Sequence, residues 1–460
     1  MNLNAFLPEL LLSLGILLVF LLDLFVSKKH YRVLYYLSAL VPVASFISLF
    51  YVSYPAKSFF ELFEVNAINL LGKGVLYALT TLFILSMQDY YERKGSVYTE
   101  LSYLPLFATL GLSVLLSSVN LPLLLLSLEL ASISMYLMVS VFKDEYLSKE
   151  AGFKYLIVGA VGTSFFALGS AFYYASTGSL FLKEYRDENT LIFLSLLLLL
   201  SAFALKASAV PYHFWTPDAY EGAPTPVVGY LSSAPKVALY FLLVQLLNYF
   251  HHLKQWLLLI ALVSLLSMFY ANAVAYAQRS VKRLLAYSTI AHAGYFFLGI
   301  SALEPQLQKG LLFYVSLYAF ASLGSFVVMS ALEKREGFSH HVLEYRGLFK
   351  EHPVIASVFA LFLFAFIGIP PMALFVGKLA LFMGLVKAML VPLALAFVVA
   401  SIVSAGYYLR VIVSMFLEEG EKRFAPVRVS SGEALALLVC SILVLVLGLF
   451  PHLFYDLVSL

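Results

Sequence analysis

Apolar residues run in stretches of about twenty along the whole chain, and each stretch stops at a charged cluster or a Pro/Gly-rich break. Cut at those breaks, the pattern predicts fourteen spans: 5–26, 33–53, 66–88, 101–119, 121–142, 153–176, 191–213, 226–248, 255–277, 284–302, 310–332, 353–385, 388–417 and 432–457. About 20 residues of helix cross the roughly 30 Å of a bilayer's hydrocarbon. The expected fold is an all-α polytopic membrane protein with fourteen transmembrane helices. The fourth and fifth spans meet almost directly at Asn120-Leu121-Pro122. One helix there would need about 40 residues, twice a normal span. The first run has no basic region before it and no small-residue cleavage site after it, so it reads as a mature first helix.

Composition agrees. Of 460 residues, 62% are hydrophobic and 12% charged, with a mean hydropathy of +0.92. A soluble domain carries roughly a quarter charged residues, and no room is left here for a large one. The single cysteine, Cys440, lies in the last apolar run, which excludes a CxxC pair, an iron–sulfur cluster and any intrachain disulfide.

Loop charges predict orientation. With the N-terminus outside, the inner loops hold Lys28, Lys29, Arg32, Arg93, Lys94, Lys143, Lys149, Lys154, Arg279, Lys282, Arg283, Lys334, Arg335, Arg346, Lys350, Lys422, Arg423 and Arg428. The outer loops hold only Lys57, Lys183, Arg186, Lys254, Lys309 and Lys387. That bias puts both termini on the outer side. Two spans are broken by proline, the seventh at Pro211 and the twelfth at Pro370-Pro371, with five helices from one to the next. The spacing suggests two five-helix units, spans four to eight and nine to thirteen, inverted about the membrane plane.

Ionisable residues at membrane depth are few. They are Glu129 in the fifth span, Lys206 in the seventh, Lys236 in the eighth, His292 in the tenth and Lys378 in the twelfth. At 1.5 Å per residue, Glu129 lies about 12 Å below the outer surface, and Lys236 and His292 about 15 Å below the inner one. Charges at that depth are costly and mark functional sites by default. Between Lys206 and Lys236 lies a hinge carrying His213, Asp218 and Glu221. Together the five residues can make a proton relay. Glu129 pairs with Lys206, a lysine stripped of its partner can release a proton towards Lys236, and His292 bridges to Lys378. The breaks free carbonyls and admit water. Structural readings stand beside these: Glu129–Lys206 as a packing pair, Lys236 snorkelling or bonding a carbonyl, His292 as a packing histidine, Lys378 as an interfacial anchor. Lys73 reads as an interface lysine, and Asp23 and Arg410 as anchors or tertiary pairs. No phosphate loop appears, and Gly72-Lys73-Gly74 lacks the rest of a dinucleotide motif. Haem would need paired histidines at depth, whereas His251-His252 and His340-His341 fall in predicted loops.

The stretch PYHFWTPDAYEGAPTPVVGYLSSAPKVA at 211–238 closely resembles the antiporter-like membrane subunits of proton-pumping NADH:quinone oxidoreductase (respiratory complex I), the subunit N form in particular. SSVNLPLLLLSLELASISMYLMV around Glu129, VKRLLAYSTIAHAGYFFLGI around His292 and GIPPMALFVGKLALF around Lys378 support it, and the resemblance covers essentially the whole chain. It implies a membrane subunit that moves protons. Glu129 would be the acid of the charged pair, Lys206 its partner and first carrier, Lys236 the central lysine, His292 a bridge and Lys378 the terminal carrier. A lysine at 378 favours N over M, which has glutamate there, and a chain stopping at Leu460 disfavours L, which continues into a lateral helix.

The resemblance also implies other membrane subunits as partners, the bacterial inner membrane as location, and no cofactor on this chain. FMN, iron–sulfur clusters and quinone would belong to partner subunits. The expected organisation is one membrane domain: 1–99 with three helices, 100–250 and 251–417 as the two repeats, and 418–460 as the last helix. Two other functions fit the pattern, a subunit of a multisubunit Na⁺/proton antiporter and a non-conducting assembly subunit with structural charges.

Overall fold

The computed structural model describes residues 3–26, 30–95, 98–183, 189–251, 253–333, 338–420, 427 and 429–457. Lys28, Lys29, Arg186, Lys334, Arg335, Lys422, Arg423 and Arg428 of the loop-charge pattern lie outside them, as does His252. The helices are α1 Leu7–Asp23, α2 Tyr31–Ser48, α3 Ala67–Arg93, α4 Leu104–Ser117, α5 Leu121–Val139, α6 Tyr146–Thr177, α7 Thr190–Ala207, α8 Trp215–Gly222 and α9 Thr225–Phe250. They continue with α10 Lys254–Ala277, α11 Val281–Leu298, α12 Pro305–Leu332, α13 Leu348–Glu351, α14 Pro353–Ile367, α15 Ala373–Lys387, α16 Val391–Phe416, α17 Ser431–Leu449 and α18 His452–Tyr455. One antiparallel hairpin, β1 Ala56–Ser58 and β2 Phe63–Val65, sits between α2 and α3.

Among the described residues, twelve helices are long and apolar enough to cross a membrane. Two predicted spans miss that measure for visible reasons. In α11, Lys282, Arg283 and His292 dilute the apolar content of 18 residues. The span 353–385 is divided into α14 and α15, of 15 residues each. The divide at Asn120-Leu121-Pro122 is real, with Pro122 in the first turn of α5, where a missing N–H costs nothing.

Both breaks begin before their prolines. Helix α7 ends at Ala207 with Ser208 in left-handed backbone (φ 67°), so the span predicted to reach 213 stops six residues early. Helix α14 ends at Ile367, with Gly368 at φ 86°. A proline disfavours helical backbone in the residue before it and cannot donate to the preceding turn. Pro211 and Pro370-Pro371 therefore set where the chain cannot resume, and the helix gives out one turn earlier.

The middle of the bundle is α9 and α12, whose apolar windows are 94% and 100% buried. A helix apolar all round is a core helix, and α11 is nearly as enclosed. Around them, α4 packs on α5, α6 on α7 and α8, and α9 on α4. The same adjacencies return later in the chain: α10 on α11, α12 on α14 and α15, and α16 on α10. Helix α3 joins the N-terminal helices to this body through α9, α12 and α17.

Candidate functional site

Lys206 and Lys378 bond at the two helix breaks, Lys236 and His292 sit on enclosed helices, and Glu129 on α5 faces Lys206. Lys206, one residue from the end of α7, lies 3.7 Å from Glu129 of α5. Its ammonium donates to Ser132 Oγ at 2.7 Å and Tyr136 OH at 3.2 Å. Glu129 also accepts from Thr163 Oγ1 of α6. Residues 129, 132 and 136 fall at i, i+3 and i+7, one face of a helix, so that face of α5 is polar in an otherwise apolar run. None of Ser132, Tyr136 and Thr163 stands out in the sequence; the fold brings them to the pair.

Lys236, in the enclosed helix α9, reaches the end of α7. It donates to the Ala207 carbonyl and to Ser208 Oγ at 3.0 Å. The last carbonyls of a helix have no partner within it, and here a lysine ammonium supplies one. Lys206 and Lys236 make no direct bond; they meet through the backbone of Ala207. Of the readings weighed for Lys236, the carbonyl bond is the one the geometry contains.

The second break repeats the device. Lys378 of α15 reaches back to the end of α14 and donates to Phe366 O and Ile367 O, both at 2.9 Å, and to Ser401 Oγ of α16 at 2.8 Å. Gly368 makes room: a Cβ there would lie 2.9 Å from Lys378 Cδ. Lys378 is 7% exposed, so it is no interfacial anchor.

His292 lies between the breaks, on α11. Its Nδ1 is 2.9 Å from Tyr314 OH and its Nε2 3.3 Å from Tyr408 OH, and Tyr408 also bonds Ser288. It does not bond Lys378 directly. The two approach through Phe366, whose carbonyl takes Lys378 and whose ring is 5.7 Å from the imidazole. On the other side the Tyr318 ring is 4.6 Å away, Tyr318 OH donates to Thr289, and one turn on Ser322 donates to Ser232 of α9 at 2.7 Å. Hydroxyls thus lead from the helix of Lys236 to that of His292.

The hinge acids lie on α8, between α6 and α11. Asp218 of α8 bonds Lys154 at 2.8 Å and Arg283 at 3.1 Å, and Glu221 shares Arg283 at 3.1 Å. Partial burial pushes the Asp218 carboxyl up, but Lys154 and Arg283 outweigh it and hold it below the usual carboxylate range. His213 packs its ring on Tyr270. Nearby, Trp215 stacks on Tyr155 and donates to Leu205 O. Tyr155 in turn meets Tyr136, so an aromatic wall runs from this charged mouth to Lys206.

A model of the family described as NADH:quinone oxidoreductase/Mrp antiporter, transmembrane, matches residues 118–404, which contain all five residues and both breaks. NADH-quinone oxidoreductase subunit N 1 of Aquifex aeolicus is 55% identical over 457 residues, covering 99% of this chain and 98% of its own. The chain belongs to the NADH:quinone oxidoreductase/Mrp antiporter membrane family. Its fold matches a chain of the respiratory complex I from Thermus thermophilus solved with bound aureothin, with a TM-score of 0.84, 28% identity and 98% of each chain covered. A chain of the Mrp complex from Dietzia sp. DQ12-45-1b aligns with a TM-score of 0.87 over 99% of this chain and 96% of its own. At 20% identity that likeness shows the shared fold alone.

Two buried charge clusters of this family member escaped the sequence reading. Lys73 is not an interface lysine. It is fully buried in α3, 2.7 Å from Glu9 of α1, beneath the Phe63 ring, and Ser113 of α4 donates to the same carboxylate oxygen. Glu9 lies in the first apolar run, too near its start to be counted as deep. At the end of α12, Glu333 accepts from Tyr90 at 2.7 Å and from Thr225, with His340 Nε2 at 2.5 Å and Lys282 at 3.7 Å. His340 stands in a loop as expected, yet is 3% exposed. Arg410 and Asp23 are tertiary partners: Arg410 donates to Tyr276 O and Gln278 O, capping α10, and Asp23 accepts from Thr99.

Proposed function

We propose that this chain is the antiporter-like proton-translocating membrane subunit of an NADH:quinone oxidoreductase, taking the place of subunit N. Protons pass along Glu129, Lys206, Lys236, His292 and Lys378, driven by electron transfer in other subunits. The observation that carries this reading is the placement of three lysine ammonium groups, two of them buried, at two helix breaks, on helices otherwise nearly free of charge. Lys206, next to a carboxylate at the charged inner mouth, takes protons up. Lys236 and His292 pass them through the enclosed middle, and Lys378 delivers them outward. The chain's contribution to the enzyme is this transfer, with flavin, iron–sulfur and quinone chemistry on partner subunits.

On this reading α11 and the broken α14–α15 also cross the bilayer, making fourteen crossings with both termini outside, in the bacterial inner membrane. The matching adjacencies of α4–α9 and α10–α16 support two repeats, at 100–250 and 251–417, after a three-helix unit at 1–99 and before a last helix at 418–460. The Na⁺/proton antiporter alternative rests on the shared family model and on fold likeness at 20% identity. The test is NADH-driven proton uptake into membrane vesicles, wild type against Lys206→Ala, with assembly checked on a native gel. Reduced uptake per NADH in an assembled complex is the expected result. Unchanged stoichiometry would exclude Lys206 as a carrier. NADH oxidation that never depends on this chain would turn attention to exchange of Na⁺ for protons.

A further inference from the structure

The three lysines at the breaks are not chemically alike. Lys206 has a carboxylate, Glu129, at 3.7 Å. Among the described residues, Lys236 and Lys378 have none; their partners are neutral oxygens only. Around Lys378 these are two carbonyls from the last turn of α14 and one serine hydroxyl from α16, all at 2.8–2.9 Å, with the Tyr295 ring face 5.4 Å away. Freed carbonyls at a helix C-terminus carry the negative end of the helix dipole. In membrane transporters, half-helix C-terminal ends and unwound carbonyls hold alkali cations, and rings of carbonyls replace an ion's hydration shell. The set around Lys378 Nζ is of that kind, already filled by a cation tethered to α15.

We propose that the end of α14 is a monovalent alkali-cation site, built from Phe366 O, Ile367 O and Ser401 Oγ, which Lys378 occupies and thereby closes to Na⁺ and K⁺. Lys378 then sets specificity as well as carrying protons. A lysine can surrender a proton and keep its place, whereas a free metal ion would have to leave. The proposal deepens the proton-transfer reading, and it makes Ser401 a positioning residue with a test of its own.

The test is thermal unfolding of the assembled complex in NaCl, KCl or choline chloride at constant ionic strength. A ligand that binds only the native state raises the melting temperature with its concentration. Wild type is expected to respond equally to all three salts. Lys378→Ala, which empties the site and leaves the oxygens, is expected to melt higher in Na⁺ or K⁺ than in choline. Adding Ser401→Ala should raise the cation concentration needed by about tenfold, as for one lost ligand. Should Lys378→Ala not assemble, Lys378→Ser supplies a fourth oxygen at the same place and is expected to respond at least as strongly. A response to Na⁺ and K⁺ no larger than to choline, in whichever variant assembles, overturns the proposal. This readout does not depend on proton flux. A Lys378→Ala complex that pumps normally would remove Lys378 from the proton path and leave the cation result to be judged separately.

Discussion

Removing one charge of the Glu129–Lys206 pair is the sharpest probe of the relay. Two unit charges 3.7 Å apart attract by about 4 kcal/mol at an effective dielectric constant near 20. The side chains keep 28% and 12% of their exposure, so water screens part of that, and about 2 kcal/mol is a fair working value. Glu129→Gln keeps the shape and the Thr163 contact but removes the attraction that holds a proton on Lys206. A change of about 2 kcal/mol in the free energy of the charged lysine slows the step that needs it by about thirtyfold. Lys206→Met leaves Glu129 charged with only hydroxyl partners, which costs more, about 3–5 kcal/mol when a buried pair is halved. The assay is protons taken up per NADH oxidised in vesicles, with thermal stability of the purified complex measured alongside. Both single variants should lose this chain's share of the stoichiometry. The double variant should lose it too, yet melt higher than Lys206→Met, because no charge is stranded. Full stoichiometry in assembled Glu129→Gln would falsify the relay at its first step, and a double variant melting below both singles would refute the pairing energetics.

Three further outcomes follow from other parts of the fold. Halving the fully buried Glu9–Lys73 pair with Glu9→Gln or Lys73→Met should cost about 3–5 kcal/mol and lower assembled complex on a native gel, while combining the two recovers much of it; singles that assemble normally would show the pair to be idle. At the Glu333 cluster, burial pushes the His340 imidazole down despite its bond to Glu333. Burial also pushes Glu333 up, but Lys282, His340 and Thr225 outweigh it and hold the carboxyl well below its ordinary range. In both cases the unfolded chain binds protons first, so stability falls with pH below about 6.5 for His340 and again below about 4.3 for Glu333. Melting curves against pH should show the first loss, and His340→Gln should abolish it; an unaltered profile in that variant counts against the assignment. Finally, a Cβ on Gly111 would stand 2.7 Å from Ala131 N and Ser127 O, backbone atoms that cannot turn aside. Gly111→Ala should therefore separate α4 from α5 and destabilise by about 1–3 kcal/mol, and a neutral melting temperature would show the helices are looser there.

Much of this arrangement was legible because the bilayer punishes ambiguity. A charge in an apolar run of twenty residues stands out, which is how Glu129, Lys206, Lys236, His292 and Lys378 could be picked without a structure. What each one touches was not legible, because the partners are common residues. Ser132, Tyr136, Thr163, Ser208, Ser401, Tyr314 and Tyr408 are ordinary hydroxyls in a chain rich in them, and only the fold selects these seven. The breaks were found but misplaced by a turn, since proline marks where helix cannot continue and the left-handed residue before it marks where helix stops. Glu9–Lys73 was missed for a different reason. Depth counted along one helix does not register that a hairpin and two neighbouring helices close over its end.

The two breaks also differ in a way that bears on direction. On the proposed two-repeat reading, the second helix of each unit sends a side chain to the broken one: α5 to α7 through Glu129, and α11 to α14–α15 through His292. Helix α5 carries Glu129, so the first break has an anion that favours a charged lysine beside it. Helix α11 carries no acid along its length, and the titratable group it offers the second break is His292, held by Tyr314 and Tyr408. On the proposed path, a proton arriving at Lys378 would meet oxygen dipoles and no countercharge, and leaving would cost it less electrostatic attraction than leaving Lys206. On the proposed path, with the same lysine chemistry at both ends, this difference in partners would let the first site retain protons and the second give them up. Placing a carboxylate on α11 with His292→Glu should remove that asymmetry. Net uptake in vesicles should then fall although every lysine is still present, and undiminished uptake would mean that direction is set in another subunit.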